Sequence, residues 1–140
     1  LESAGIDFVD RENREKAIKQ LDAAKDLLGS GISLWVAAEG RRSRDGRLHA
    51  FKKGGFHVAL QLGVPIVPTY IHGTLDVIPP DQWGAVTGQT VRVAYGDPIA
   101  TEGKTRDDLP ELMTAVRRSM LQLAKVAGAP SDVDAAPETA

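Results

Sequence analysis

One stretch limits what this chain can fold into. An apolar run, Ile32-Ser33-Leu34-Trp35-Val36, gives out into a basic, glycine-containing segment that ends at Lys52-Lys53-Gly54-Gly55-Phe56. Between residues 41 and 53 the cations Arg41, Arg42, Arg44, Arg47, Lys52 and Lys53 face a single anion, Asp45. An apolar strand, then a basic glycine loop, then a helix start is how a chain builds a socket for an oxyanion. Backbone N–H groups at a helix N-terminus and guanidinium forks both favour one.

The charge balance sharpens this reading. The loop carries +5 while the whole 140-residue chain carries −2, so the remaining residues carry −7. A basic surface spread over the whole protein, as nucleic acid would need, is excluded in favour of a local anion site. Cysteine is absent, which removes disulfides and thiolate chemistry and fits a reducing compartment. No apolar run reaches the ~18 residues of a membrane span. The start, Leu1, has neither the basic nor the apolar region of a signal peptide.

Around the loop, periodicity predicts alternating elements. Residues 6–9 read as a short strand. Ala17, Ile18, Leu21, Ala24, Leu27 and Leu28 mark one face of a helix, stopped by Gly29-Ser30-Gly31. Residues 32–36 read as a strand covered on both faces. Gly54 or Gly55 opens a helix that runs to Leu62, and Gly63 stops it. Residues 64–71 read as a strand made irregular by Pro65 and Pro68, and residues 90–95 as another. A longer helix spans residues 107–127, with Leu109, Leu112, Met113, Val116, Met120, Leu123, Ala124 and Ala127 on one face and Pro110 in its first turn. Residues 128–140 have no apolar period and read as a disordered tail after a domain of residues 1–127. The strand–helix order predicts an α/β fold: a layered sheet with flanking helices and parallel neighbouring strands.

Three short blocks then carry a resemblance. Gly5-x-x-Phe8-x-x-Arg11, Glu39-Gly40-x-Arg42-Ser43 followed by Phe51-Lys52-x-Gly54-x-Phe56, and Val64-Pro65-Ile66-Val67-Pro68 stand in order over about seventy residues. They resemble the second, third and fourth sequence blocks of the glycerophospholipid acyltransferases, of the 1-acyl-sn-glycerol-3-phosphate acyltransferase type. Two positions depart from that pattern. Ala37-Ala38 stands where the family has Phe-Pro, and Arg41 stands where it has Thr.

The resemblance implies acyl transfer from acyl-coenzyme A or acyl carrier protein to the hydroxyl of lysophosphatidate or a related glycerol phosphate, in phospholipid biosynthesis. It implies no cofactor beyond the acyl donor. It also implies work at a membrane surface, on its cytoplasmic face or in the cytoplasm, with no nucleic acid as partner. The acceptor-binding residues it implies are Arg11, Glu39, Gly40, Arg42, Ser43, Lys52 and Gly54. Glu39 is read as a carboxylate that holds Arg11 or Arg42 in place; Arg41, Arg44 and Arg47 are read as a solvated face, or as a patch that meets anionic lipid or the phosphates of coenzyme A. Phe51 and Phe56 are read as core.

The family's first block, His-x-x-x-x-Asp, supplies the base that activates the hydroxyl. The histidines here are His49, His57 and His72, and the fifth residue after each is Gly54, Leu62 and Val77. None forms the motif, so no catalytic residue is assigned. The block would precede the second one, and the expectation is an N-terminally truncated domain, inactive alone. The competing reading is a non-catalytic module that uses residues 41–53 to bind anionic membrane or RNA. A nucleotide-binding loop is excluded, because neither glycine signature of that class is present.

Overall fold

A computed structural model describes residues 26–82 and 84–135. The chain divides into two compact units, Leu1–Val36 and Ala37–Ala140. In the first unit, residues 26–29 are helical. Gly31 takes φ +87°, and the Ile32 N–H reaches back to the Leu27 carbonyl at 3.2 Å. That is the expected glycine stop. The expected strand at residues 6–9 and most of the helix before Leu28 lie outside the described residues. Residues 32–36 correct the sequence reading: they belong to no strand among the described residues, and Ile32, Trp35 and Val36 are exposed. An apolar run is only a candidate strand until a partner supplies its hydrogen bonds, and periodicity does not show the partner.

In the second unit the first helix, α1, spans Gly54–Leu62. It ends at Gly63, whose φ of +65° lets its N–H turn back to the Ala59 and Leu60 carbonyls. Strand β1, Thr69–His72, follows an irregular approach. Ile66 exchanges two backbone hydrogen bonds with Ile99, at 2.9 and 2.8 Å, before the ladder proper begins. Pro65 and Pro68 have no N–H to donate, so pairing is broken on either side of Ile66. A one-turn helix, α2 (Thr74–Val77), and a loop lead to β2, Arg92–Tyr95. A 3₁₀ turn, Arg106–Asp108, runs into the long helix α3, Leu109–Val126, with Pro110 in its first turn.

The two strands pair antiparallel, Thr69 opposite Tyr95 and His72 opposite Arg92, which corrects the expectation of parallel neighbours. A parallel return needs a crossover of a dozen or more residues, usually a helix packed on the sheet. Among its described residues the connection has only the four of α2 in helical form, and the chain turns back antiparallel beside β1.

Two apolar clusters meet on α3. Phe56, Leu109, Leu112 and Val116 form one; Tyr70, Ala124, Ala127 and Val133 form the other; Met120 touches both. The predicted face of the long helix is thus the one that is buried. The expected disordered tail is corrected through residue 135. Val133 is buried, the Leu48 N–H donates to the Val133 carbonyl at 2.7 Å, and Leu48 and Asp134 form a parallel bridge. A single apolar residue among Ala, Pro, Ser and Asp leaves no period to read, yet it is enough to dock a segment that also finds backbone partners.

Gly73 and Gly63 both hold left-handed backbone, but a Cβ at Gly63 would meet open space, while one at Gly73 would lie 2.3 Å from the Thr90 carbonyl oxygen. Gly63→Ala should cost about 1–2 kcal/mol, the usual left-handed penalty. Gly73→Ala should cost clearly more, because β1 and the entry to β2 must also separate. Urea unfolding of the two variants checks this; equal losses would contradict the close approach.

Candidate functional site

The basic segment is a closed loop. At its base the Lys52 N–H donates to the Ala38 carbonyl at 2.7 Å, and the Gly40 N–H donates to the Ala37 carbonyl at 3.0 Å. Gly40 has φ +72°, and a Cβ there would lie 3.0 Å from Lys52 Cγ. The backbone conformation and the apolar stem of Lys52 therefore both call for glycine at this position. Gly40 and Lys52, expected to share a site, are side by side.

Higher in the loop one carboxylate oxygen gathers three donors. Asp45 Oδ1 accepts from the Ser43 hydroxyl at 3.0 Å, the Arg47 N–H at 3.1 Å and His49 Nε2 at 2.8 Å. The Arg47 N–H first, then the His49 ring, hold the Asp45 carboxyl down from 3.8 to about 2. This anion is the tie that folds the tip of the loop. Ser43 is turned inward onto it, and Arg47 is carried toward Asp132, whose carboxylate accepts from Nη2 at 3.0 Å. Arg47 is therefore paired and not merely solvated, although both partners are exposed and such a pair contributes at most about 1 kcal/mol.

Glu39 points into the loop from its other side. Its Oε1 accepts from the His49 N–H at 2.6 Å. Arg42 instead sends Nη1 to the Ile78 carbonyl at 3.3 Å, just after α2. The expectation that Glu39 holds Arg42 is thus corrected: among the described residues, the Glu39 carboxylate braces the loop backbone. Arg11 lies outside the described residues. Tyr70 stands close enough for Glu39 to act on it; burial first, and the Glu39 charge second, push its phenol up from the ordinary value. Gly54 opens α1 with Lys53 before it and no acidic residue in the first turn, so the positive end of the helix adds to the loop's cations.

Sequence reasoning missed the residue that fastens the loop to the rest of the unit. Arg117, on α3, donates through Nη1 to the His49 carbonyl at 2.7 Å and through Nη2 to the Leu48 carbonyl at 2.6 Å. Nη2 also meets the Asp134 carboxylate and, at 3.0 Å, the Ala135 carbonyl. The guanidinium lies over the Phe51 ring, 5.4 Å from its centroid, and Phe51 stacks on Phe56 at 6.0 Å. A signal existed: Arg117 borders the apolar stripe of Met113, Val116 and Met120, where a cation with a long stem is held against the core. Among the described residues no group of His, Asp and Glu could hold a metal, and no helix is long and apolar enough to cross a membrane.

The depressed Asp45 carboxyl sets a pH dependence. A carboxylate whose folded pKa lies below its unfolded value stabilises the fold above the unfolded pKa and loses that contribution as pH falls toward the folded one. The loop tip should therefore loosen between about pH 4 and about pH 2. Hydrogen exchange at the Arg47 amide should accelerate across that range relative to a buried α3 amide. Asp45→Asn should exchange fast already at pH 5; an unchanged rate would show that the carboxylate does not order the tip.

Comparison with known proteins places the chain in a family. A family model described as Acyltransferase matches residues 1–72. The human 1-acyl-sn-glycerol-3-phosphate acyltransferase alpha is 40% identical over 119 residues, 84% of this chain and 42% of its own length. The 1-acyl-sn-glycerol-3-phosphate acyltransferase of Haemophilus influenzae is 36% identical over 106 residues, 75% of this chain and 43% of its own. The crystal structure of the 1-acyl-sn-glycerophosphate (LPA) acyltransferase PlsC from Thermotoga maritima superposes with a TM-score of 0.63 at 28% identity, covering 82% of this chain and 46% of that one. The chain thus spans about two-fifths of the length of the curated relatives it matches. With its mixed helices and strands, this chain belongs to the acyltransferase family, is similar to its 1-acyl-sn-glycerol-3-phosphate acyltransferase members, and has an α/β acyltransferase fold.

Proposed function

We propose that this chain carries the acceptor-holding part of an enzyme that acylates a lysophosphatidate or related glycerol phosphate in phospholipid synthesis. The relatives' names speak for that acceptor. The observation that carries the reading is the loop itself: Glu39, Gly40, Arg42 and Lys52 lie on a segment closed at its base and tied at its tip, directly before the positive end of α1. Such a frame fixes cations in advance, which lowers the ordering cost of binding a phosphate ester.

In the reaction, the acceptor hydroxyl adds to the thioester carbonyl of acyl-coenzyme A or acyl carrier protein. A base takes the hydroxyl proton as the C–O bond forms, and the C–S bond breaks to release the thiol. Arg42 and Lys52 hold the acceptor phosphate, with Arg11 as a further cation implied by the family's second block. Ser43 and Gly54 contribute through the loop they shape, and Glu39 keeps its backbone in place. Holding the phosphate orients the hydroxyl, a proximity effect of several kcal/mol in favourable cases. The base is the family's first-block histidine, and none of His49, His57 and His72 stands in that motif. In this reading the chain alone is the binding half, it acts at the cytoplasmic face of a membrane or in the cytoplasm, and the reaction uses an acyl donor and no cofactor.

Titration with glycerol 3-phosphate, followed by amide chemical shifts, tests the binding half. Arg42→Ala and Lys52→Ala should each weaken binding by roughly tenfold or more, the worth of a charged hydrogen bond, while Arg44→Ala should leave it within about twofold. Equal losses at all three positions, steepening at low salt, would instead mark a general anion-binding face. An acyl-transfer assay on the chain should give no turnover; measurable turnover would overturn its inactivity.

A further inference from the structure

We infer that Arg117 is a positioning residue for the phosphate loop, acting from α3 together with the segment that ends at Ala135. The inference rests on the phosphate-site reading for its consequence, but its geometry stands apart from it. His49 is the link. Its N–H is taken by Glu39 and its carbonyl by Arg117, so two charged side chains grip one peptide residue from opposite directions. Glu39 immediately precedes Gly40 in the block that carries Arg42. Any shift of His49 is therefore passed to the base of the loop where Gly40 and Lys52 meet.

Arg117 is itself held on every side. Its side chain is 18% exposed, with the Phe51 ring beneath it and the Asp134 carboxylate, the Ala135 carbonyl and the Leu48 carbonyl around it. The same segment reinforces the clamp through the Leu48 bond to Val133 and the Arg47 pair with Asp132. A planar guanidinium can serve two neighbouring carbonyls and a carboxylate at once, whereas an ammonium is a point charge on a flexible stem. Arginine is required here for its shape as well as its charge.

The test compares Arg117→Gln, Arg117→Lys and Asp134→Asn with Val116→Ala, which damages the adjoining core of α3 but removes no side-chain hydrogen bond to the loop. Two quantities are read at a temperature where all are folded: the dissociation constant for glycerol 3-phosphate, and the rate of trypsin cleavage after Arg41 and Arg44. Arg117→Gln should weaken binding by about tenfold or more, the scale expected when a binding group is displaced by a fraction of an ångström, and Arg117→Lys should fall between it and the parent. Asp134→Asn should cleave faster in the loop than Val116→Ala does. If Arg117→Gln and Asp134→Asn bind like the parent, the inference fails. If the parent does not bind glycerol 3-phosphate, the phosphate-site reading fails instead, and cleavage decides: faster cutting in Arg117→Gln than in Val116→Ala upholds the positioning role, and equal cutting overturns it.

Discussion

The fork of Arg117 is the interaction on which the second unit's architecture turns. A half-buried guanidinium must have partners for its donors, because leaving them unmet away from water is costly. Here the partners come from two distant parts of the chain: the Leu48 carbonyl and the Asp134 carboxylate meet one nitrogen, and the carbonyl of His49, next to Leu48, meets the other. The helix that presents Arg117 is fixed by its own apolar face against Phe56 and Tyr70. Core packing thus sets the helix, the helix sets the guanidinium, and the guanidinium sets the loop.

Within the loop, charge is divided by geometry. Asp45 is the sole anion between residues 41 and 53, and it spends itself inward on Ser43, Arg47 and His49. Glu39 also faces inward. The carboxylates at the loop therefore act on its own backbone and tip, and the cationic side chains Arg41, Arg44, Lys52 and Lys53 are left exposed. Compensating the frame without neutralising the rim lets one short segment be both rigid and attractive to an anion.

Local signals carried far in this sequence and non-local ones did not. The helix at Gly54–Leu62 was legible because an apolar set at helical spacing ends in a glycine that can take left-handed backbone. The long helix was legible because its stripe is complete from Leu109 to Ala127. The broken pairing around Ile66 followed from two prolines. Strand direction was not legible, since it depends on the length of helix between β1 and β2. The docking of Val133 was not legible either, since its partner Leu48 lies 85 positions away. At the site, Gly40 and Lys52 could both be picked from the blocks, and they stand side by side at the base of the loop. Arg117 was not, because a cation on a helix flank is ordinarily solvent-facing and only its distant acceptors make it otherwise.

The clamp at Leu48 and His49 has a consequence for the order of events when the chain is made. The loop emerges early, yet the groups that secure it are separated from it by 68 residues at Arg117 and 85 at Asp132. Contacts of such long sequence separation form late, after the entropy of closing the intervening chain has been met. The α1 and α3 helices and the loop's own ties can form from neighbouring residues, but the loop is not clamped to α3 until Arg117 and the segment after α3 have been synthesised. The loop is therefore among the last parts of the second unit to be clamped, and a nascent chain presents as a looser cationic arm what the finished protein holds against α3.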